Sequence, residues 1–447
     1  MSMQVSVETL SDLERRVTVQ VPAEKLTKEI QDRLLSLSKQ VKVDGFRPGK
    51  VPFKMVKRLY GERVRYEAVT ELMERSLHEA LTLEKLNPLG GPRIEPKKIE
   101  EDQNLEYSAT FEVMPEFEPT GFESIHVEKP VAEITDQDVD HMIQTLREQR
   151  TVWNKVDRPA AEGDRLYIDF EGKIDGESFA GGKAENATVI LGKGTMLQDF
   201  ENGLKGLRAD EQTEFDVPFP EDYQAAELAG KTARFQVTIH DVEEPILPEV
   251  DEAFAESLDV KENGVAGLRQ SLRENMEREL RGGITAAIKR QVMQGLWDAN
   301  PIPLPKVLIE AEIEHLARQL SFPAGGDDEK IRELKSKLFE REARRRVALG
   351  LLISRLAALN SIKADERRVR DYLATVASTY QEPAQVLRWY EKTPEALDNV
   401  RALVLEEQIV DWLLERGQVS EKTSTFAEVM ALSKKQQFNP WLQESPE

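Results

Sequence analysis

A short glycine-bracketed run is the first place where residue types and spacing could do chemistry. The run reads GFRPGK and places one aromatic ring and two cations on a single turn. Gly45 and Gly49 permit left-handed backbone geometry, and Pro48 restricts the loop. Arg47 and Lys50 can contact phosphate or carboxylate groups, and an arginine can do so through two parallel hydrogen bonds. The run therefore predicts a loop that docks on an anionic surface.

Phe46, within this loop, has two interpretations. Its ring either stands exposed as part of a docking surface, because a ring on a turn gains little from burial in its own core, or it folds back onto a small hydrophobic cluster. In the second case the neighbouring bases merely solvate the loop. Residue types alone leave both interpretations open.

The bases around the loop are concentrated in a chain that is otherwise acidic. The formal net charge of the 447 residues is -21 at pH 7, whereas acidic and basic side chains balance over residues 1–112. Within that neutral segment Asp44 and Glu62 are the acids among these clustered bases: Lys39, Lys42, Arg47, Lys50, Lys54, Lys57, Arg58, Arg63 and Arg65. A local patch on an acidic protein indicates an anionic partner more specifically than a high isoelectric point does.

Two amphipathic helices are predicted to hold the loop between them. The first begins after Pro22, and its apolar residues recur every three or four positions at Leu26, Ile30, Leu34, Leu37 and Val41. The second occupies residues 64–81. The loop should then be the tip between these helices.

Strands complete the predicted N-terminal domain. Residues 3–20 alternate between apolar and polar side chains, as do residues 105–113, LEYSATFEV. Residues 88–92, PLGGP, are predicted to interrupt regular structure. These patterns favour an α+β domain over residues 1–112.

Composition excludes several classes of function. The chain has no cysteine, which excludes disulfides, thiol nucleophiles and thiolate metal sites. Its histidines are dispersed, and the run LGKGTM lacks the spacing of a nucleotide-binding Walker loop. We therefore expect neither a metal nor another cofactor.

The N-terminus and the hydropathy pattern argue against export or membrane insertion. Acidic residues arrive early, at Asp12 and Glu14, and no uninterrupted apolar stretch precedes them. No window approaches the roughly 20 apolar residues that a membrane span requires. We expect a cytoplasmic protein without a membrane partner.

The sequence pattern of residues 113–154 predicts a linker that ends in a helix. Their first part is extended and interrupted by proline. Thr135 is a predicted helix cap, and Asp136 and Asp138 favour a helix N-terminus electrostatically.

The pattern of residues 155–245 predicts a small antiparallel sheet wrapped around one short helix. Leu166, Ile168 and Phe170 alternate along a predicted strand, and Asp175-Gly176 is a hairpin signal. A glycine loop and a short helical run follow, and then two further strands.

Residues 246–432 are predicted to be helical, with breaks at proline and glycine that suggest arms around a groove. Within this part Val347 and Leu351 share one predicted face, and Arg344 to Arg346 are expected in water. An apolar residue on such a face is more often plain core than a partner site. Residues 433–447 are predicted to be a disordered tail.

The runs LGKGTMLQDFENGLKGL, VPFPEDY and FQVTIHDVE resemble the FKBP class of peptidyl-prolyl isomerases. Matched position by position, the resemblance implies an apolar pocket built by seven side chains: Phe170, Phe179, Met196, Leu197, Phe200, Tyr223 and Phe235. Phe200 stands where tryptophan is usual as the pocket floor. Two departures, Ala180 where drug-binding members carry aspartate and a second flap tyrosine replaced near Ala225, weaken the case for macrolide binding.

Such a pocket suits proline isomerisation. The X–Pro bond turns over a barrier of roughly 18–20 kcal/mol because its C–N bond has partial double-bond character. A ring of apolar groups can desolvate the imide and favour its twisted state, so no nucleophile is needed. The alternative is that Phe170, Phe200 and Phe235 are ordinary core of a half-barrel.

In this order the three parts resemble the bacterial trigger factor family of ribosome-associated chaperones. The most specific element is the loop from Gly45 to Lys50, which in that family binds the large ribosomal subunit beside the polypeptide exit. The resemblance implies a multidomain α+β fold: a ribosome-binding domain, an inserted FKBP-like half-barrel and an all-helical chaperone domain with two arms. It also implies specific partners, namely ribosomal protein and ribosomal RNA, nascent and unfolded polypeptides, and a second copy when the chain is off the ribosome.

Two other classes remain alternatives. One is a free prolyl isomerase whose flanking parts only enlarge its affinity for substrate, and the intact docking loop counts against it. The other is a scaffold without enzymatic activity, in which the FKBP-like domain only binds partners. Ala180 and Phe200 keep this second class open, and a proline-limited refolding assay would separate it from an enzyme.

Overall fold

The computed structural model describes residues 3–43, 46, 51–100, 103–223, 225, 227–260, 262–320, 322 and 329–438, with the backbone alone for 434–438. The chain forms two structural units. One comprises Met1–Val131, Gly283–Ser424 and Glu428–Glu447, and the other comprises Ala132–Gly282 and Thr425–Ala427. The second unit is thus inserted into the sequence of the first, as the family resemblance implied. The multidomain α+β fold class is confirmed.

The N-terminal part is an antiparallel sheet covered by two helices. Its elements are β1 Gln4–Thr9, β2 Glu14–Val21, α1 Ala23–Gln40, α2 Phe53–Leu83, β3 Leu89–Lys98 and β4 Leu105–Glu112. The strand order is β1-β2-β4-β3. Tyr107 of β4 is fully buried, and its hydroxyl lies 2.8 Å from Ser76 Oγ and donates to the Met73 carbonyl. Both predicted helices and the predicted strands are present.

The run PLGGP, expected to interrupt regular structure, disturbs this sheet without ending its strand. Residues 89–92 belong to β3, but the register of the pairing with β4 shifts between Leu89 and Arg93. Gly90 has a φ of +74°, and a Cβ there would lie 2.9 Å from the Val307 side chain. The glycine therefore lets the strand continue past a close neighbour, which a larger residue would prevent.

The segment after β4 contains β5 His126–Val131 and α3 Asp136–Gln149. Thr135 caps α3 as predicted. Its hydroxyl accepts from the Asp138 N–H at 3.2 Å, and the Asp138 carboxylate accepts from the Thr135 N–H at 2.8 Å. This reciprocal pair satisfies N–H groups that a helix start leaves without intrahelical partners.

The sheet of the inserted unit is built from five strands and one short helix. They are β6 Val152–Lys155, β7 Arg165–Ile174, β8 Glu177–Ile190, α4 Gln198–Leu204, β9 Gln212–Pro218 and β10 Thr232–Ile246. All pairings are antiparallel, in the order β6-β10-β7-β8 with β9 also on β10. Asp175 and Gly176 both have positive φ, 50° and 87°, and join β7 to β8. This is the predicted hairpin.

In the part of residues 247–447 that the structure describes, every element except one strand is a helix. Its elements are α5 Glu252–Ser257, α6 Gly264–Ala299, α7 Lys306–Gln319, α8 Glu329–Leu359, α9 Glu366–Ala377, α10 Pro383–Lys392, α11 Pro394–Leu414, β11 Gln418–Thr423 and α12 Phe426–Phe438. The tail predicted to be disordered from 433 is helical to Phe438, and residues 439–447 lie outside the described residues.

The stretch predicted as a linker takes part in a core. Strand β5 pairs in parallel with β11, from His126 opposite Gln418 to Val131 opposite Thr423. Ile125 and Val127 are buried in a hydrophobic cluster with residues of α6, α8 and α11. The linker prediction is therefore wrong for β5, which is held in the first unit by backbone pairing and by apolar burial.

Across the described residues, none of the helices combines the length and the apolar content needed to cross a membrane. The same residues contain no group of three or more His, Asp or Glu side chains that could hold a metal ion.

Candidate functional site

Four phenylalanines of the inserted unit form one aromatic cluster. Phe235 lies at its centre, with ring centroids 5.1 Å from Phe200, 5.9 Å from Phe170 and 6.2 Å from Phe179. Each of these three contacts is edge to face, the arrangement that the ring quadrupoles favour. Phe200 and Phe235 are buried, whereas Phe170 and Phe179 keep part of their surface exposed. The structure thus brings together four of the seven residues implied for the pocket.

Strand register explains the position of the central ring. Phe235 on β10 lies opposite Gly172 on β7. A Cβ built on Gly172 would lie 2.5 Å from the Phe235 ring, well inside the contact distance of two carbons. Phe235 therefore occupies space that only a glycine leaves free, and Gly172 is a site residue that the sequence analysis did not single out.

We predict that Gly172→Ala displaces the Phe235 ring. Overpacking of this kind costs about 1–3 kcal/mol, so the thermal midpoint of the inserted unit should fall and proline isomerisation should slow. Gly282→Ala is the matched control, because a Cβ there meets nothing within 4 Å. An unchanged isomerisation rate in the Gly172 variant would show that the ring's position is irrelevant to activity.

Met196 and Leu197, which the resemblance implied for the pocket, precede α4 and pack against the same core. Glu201 of α4 fixes this loop. Its side chain is 4% exposed, and its two oxygens accept from the N–H of Gly192 at 2.8 Å and from the N–H of Met196 at 3.3 Å. A buried carboxylate that receives two backbone hydrogen bonds holds its partners firmly. Glu201 is a second residue that sequence reasoning missed.

We predict that Glu201→Gln loosens the loop from Gly192 to Met196. The amide keeps one accepting oxygen and turns an NH2 group toward a backbone N–H, so at least one hydrogen bond worth roughly 1.5–3 kcal/mol is lost. Amide hydrogen exchange at Gly192 and Met196 should speed up, and isomerisation should slow. If exchange at both amides keeps its wild-type rate, the carboxylate does not hold the loop.

Tyr223 lies beside the cluster but not within it. Its ring meets Phe219 at 4.8 Å, and Phe219 in turn meets Phe179 at 6.0 Å. Tyr223 is 37% exposed, so part of its side chain faces solvent. Phe219 is therefore a further aromatic residue of this cluster. It lies in the run VPFPEDY, but it was not among the residues that the FKBP resemblance implied for the pocket.

The described part of the docking loop is Phe46. Its ring is partly buried and packs against a small cluster formed by Leu34, Val51, Val56 and Val64. Of the two interpretations of Phe46, the structure therefore agrees with the one in which the ring folds back onto a small hydrophobic cluster between α1 and α2. Gly45, Arg47, Pro48, Gly49 and Lys50 lie outside the described residues.

Beyond the loop, α2 carries the bases that the sequence placed in the patch. Lys54, Lys57 and Arg58 are exposed and form no ion pair among the described residues. Tyr66, on the same helix, is 75% exposed. Arg63 pairs with Glu67 at 2.8 Å, so its charge is partly engaged. This helix thus offers free cations and apolar surface together.

Large apolar side chains are also exposed in the helical region. Trp389 on α10 is 55% exposed, and further examples lie on α8 and just after α9: Leu334, Leu338, Leu359 and Tyr380. Exposed apolar surface of this kind can mark a binding surface for other polypeptides.

Three protein families match successive parts of the chain. Residues 3–146 match the family "Bacterial trigger factor protein (TF)", and residues 264–415 match its C-terminal family. Residues 156–240 match the family "FKBP-type peptidyl-prolyl cis-trans isomerase".

Two curated relatives named trigger factor are similar along nearly the full length. Those of Stutzerimonas stutzeri (strain A1501) and Thioalkalivibrio sulfidiphilus (strain HL-EbGR7) are each 47% identical over 428 residues, covering 96% of this chain and 98% of the relative. A solved structure from work on promiscuous substrate recognition by the trigger factor chaperone is 18% identical, with a TM-score of 0.44 over 92% of this chain and 99% of that one. By its matches and its relatives, the chain belongs to the trigger factor family and carries an FKBP-type domain.

Proposed function

We propose that this chain is a ribosome-associated chaperone that binds polypeptides as they leave the exit tunnel and isomerises their X–Pro bonds. One observation carries the proposal. An aromatic cluster of the kind suited to a twisted imide lies on a segment inserted into a chain that matches the chaperone family on both sides.

The isomerase step needs only the shape and polarity of the cluster. The planar imide resists rotation because its C–N bond has partial double-bond character. In the twisted state this conjugation is lost, and a site with few polar groups favours that state over the planar ones. Phe170, Phe179 and Phe235 would surround the proline ring, with Tyr223 closing the open side.

A backbone donor lies at the edge of the same cluster. Leu197 precedes α4, and its N–H has no hydrogen-bond acceptor among the described residues, whereas the preceding N–H of Met196 is bound to Glu201. We infer that the Leu197 N–H donates to a carbonyl of the bound peptide. Glu201 would thereby orient the donor by fixing the residue before it.

Docking on the ribosome would use the loop and the basic helix behind it. Ribosomal RNA and the acidic edge of a ribosomal protein attract cations, and Lys54, Lys57 and Arg58 are free to meet them. The net charge of -21 repels the rest of the chain from RNA. The protein would then act in the cytoplasm, and off the ribosome a second copy could cover the same surface.

Chaperone activity and isomerase activity should be separable, because the cluster around Phe235 draws all its residues from within 156–242. Lys155 and Glu243 are direct partners across β6 and β10. Replacing residues 156–242 with Asn-Gly joins Lys155 to Glu243. The Asn-Gly pair favours the two-residue hairpin turn that this connection needs. The shortened chain should still suppress aggregation of a refolding protein while losing all isomerase activity.

The isolated segment 152–246 should do the reverse, catalysing isomerisation in a short peptide but acting poorly on a long unfolded chain. Burial of client side chains, at about 25 cal/mol per Å², needs the exposed apolar helices that this segment lacks. A shortened chain that is well folded by circular dichroism yet fails to prevent aggregation would show that the helices are not the main client surface. An isolated segment inactive on peptides would refute the isomerase assignment.

A further inference from the structure

The chain contains two asparagine–glycine pairs in the same local sequence. Residues 201–203 and residues 262–264 both read Glu-Asn-Gly. Such a pair can react with itself, because the backbone nitrogen of the glycine can attack the side-chain carbonyl carbon of the asparagine. Glycine has no Cβ to hinder this approach, and it lets the backbone turn toward the side chain. Since both pairs follow glutamate, their surroundings in the fold decide which of them can react.

The first pair lies inside α4, where the fold opposes the reaction. Asn202 and Gly203 both belong to this helix, Gln198–Leu204. At this position of a helix the N–H points at the carbonyl four residues earlier rather than at the preceding side chain. Gly203 is also tightly packed, since a Cβ built on it would lie 2.6 Å from the Phe215 ring. Turning the Gly203 nitrogen toward the Asn202 side chain would therefore disrupt both the helix and this contact.

The second pair lies at the start of α6, where fewer contacts hold it. Asn263 is exposed, and its side chain makes no hydrogen bond with another described residue. Its φ is +59°, a left-handed conformation that costs a non-glycine residue roughly 1–2 kcal/mol. Gly264 is the first residue of the helix, so its N–H has no intrahelical acceptor. Turning the peptide between them breaks one backbone hydrogen bond of the described chain, from the Gly267 N–H to the Asn263 carbonyl at 3.1 Å.

We propose that Asn263 is a deamidation site of the folded protein. The Gly264 nitrogen forms a bond to Cγ of Asn263 and loses its proton to water or hydroxide. The side-chain nitrogen takes up a proton and leaves as ammonia, which leaves a cyclic imide, a succinimide. Water then adds to either imide carbonyl and opens the ring. The product at position 263 is aspartate or isoaspartate, and in isoaspartate the main chain runs through the former side chain.

The start of α6 favours this reaction electrostatically. The N-terminus of a helix carries a partial positive charge, which stabilises negative charge nearby. Negative charge appears on the Gly264 nitrogen as it loses its proton, on the carbonyl oxygen under attack, and on the product carboxylate. Asp251 already stands before the preceding helix, α5, where its carboxylate accepts from the Phe254 N–H at 2.8 Å. An aspartate before α6 would be stabilised by the same kind of helix charge.

The test follows both pairs in one sample of the full chain. The folded protein is kept in mildly alkaline buffer prepared with oxygen-18 water, digested in ordinary acidic buffer, and analysed by mass spectrometry. Each ring opening adds one solvent oxygen, so the label distinguishes deamidation during the incubation from any that preceded it. We expect labelled product at Asn263 to form at least about ten-fold faster than at Asn202, because the first residue of a helix opens locally more often than its interior does.

Two controls separate the fold from the sequence. In concentrated urea the two pairs should react at similar rates, since both then follow glutamate in an open chain. Asn263→Gln should remove the labelled product at this position, because glutamine would have to close a larger ring that forms more slowly. The same variant should leave the labelled product at Asn202 unchanged.

Equal rates at Asn202 and Asn263 in the folded chain, or no labelled product at Asn263, would overturn the proposal. A rate ratio in urea as large as the ratio in the folded chain would also overturn it, because the difference would then come from the sequence and not from the fold. None of these results depends on isomerase activity or on ribosome binding.

Discussion

A chain with Arg47→Ala and Lys50→Ala should no longer co-sediment with ribosomes at moderate salt. Each residue is expected to supply a charge-assisted hydrogen bond worth about 1.5 kcal/mol, and losing both corresponds to roughly a hundred-fold weaker binding. Phe46 is kept in this variant because its ring packs against the cluster around Val56, and removing it would also loosen the helix ends. Adding Phe46→Ala should abolish the residual binding.

The matched control is Lys25→Ala with Lys28→Ala, which removes two exposed positive charges from α1. This control should bind ribosomes as the wild type does. Wild-type binding should also weaken as salt rises, since each phosphate contact releases counterions. Equal co-sedimentation of the loop variant and the control would contradict a docking role for the loop.

Tyr223→Ala should slow proline isomerisation about ten-fold, which corresponds to roughly 1.4 kcal/mol of lost transition-state stabilisation. The ring is 37% exposed, and among the described aromatic residues it meets the ring of Phe219, so its removal should open this side of the aromatic cluster without emptying a core. Tyr223→Phe should retain most of the activity, because the ring rather than the hydroxyl forms the wall. The measurement is kcat/KM on a proline tetrapeptide.

Phe200→Ala would be a poorer test of the same pocket. Phe200 is 4% exposed and contacts three other rings, so its truncation should cost about 3–5 kcal/mol of stability. Tyr380→Ala, at an exposed tyrosine in the helical region, is the control for Tyr223→Ala and should leave the rate unchanged. A Tyr223→Ala variant that is folded and fully active would remove Tyr223 from the site.

Features with a strong local signal were predicted from the sequence. The Asp175-Gly176 turn and the Thr135 cap follow from the chemistry of a few adjacent residues, and the structure has both. The aromatic residues of the site were predicted from the resemblance to FKBPs, because their spacing alone does not distinguish a pocket residue from a core residue. In the structure Phe200 and Phe235 are buried in the core, whereas Tyr223 is exposed to solvent.

Features that depend on distant partners were not predicted. Strand β11 is short and fully exposed, so it has no alternating pattern, and only its pairing with β5 makes it a strand. The role of Gly172 requires the register of β7 and β10, and that of Glu201 requires the fold of the loop before α4.

The central claim is that this chain receives polypeptides as they emerge from the ribosome. The most direct measurement uses ribosomes stalled with a nascent chain that carries a photoreactive residue just beyond the exit. Wild-type protein should cross-link to that residue, and the variant with Arg47→Ala and Lys50→Ala should lose the cross-link while the Lys25 and Lys28 control keeps it. No cross-link to the wild type, or equal cross-linking by the loop variant, would contradict the claim.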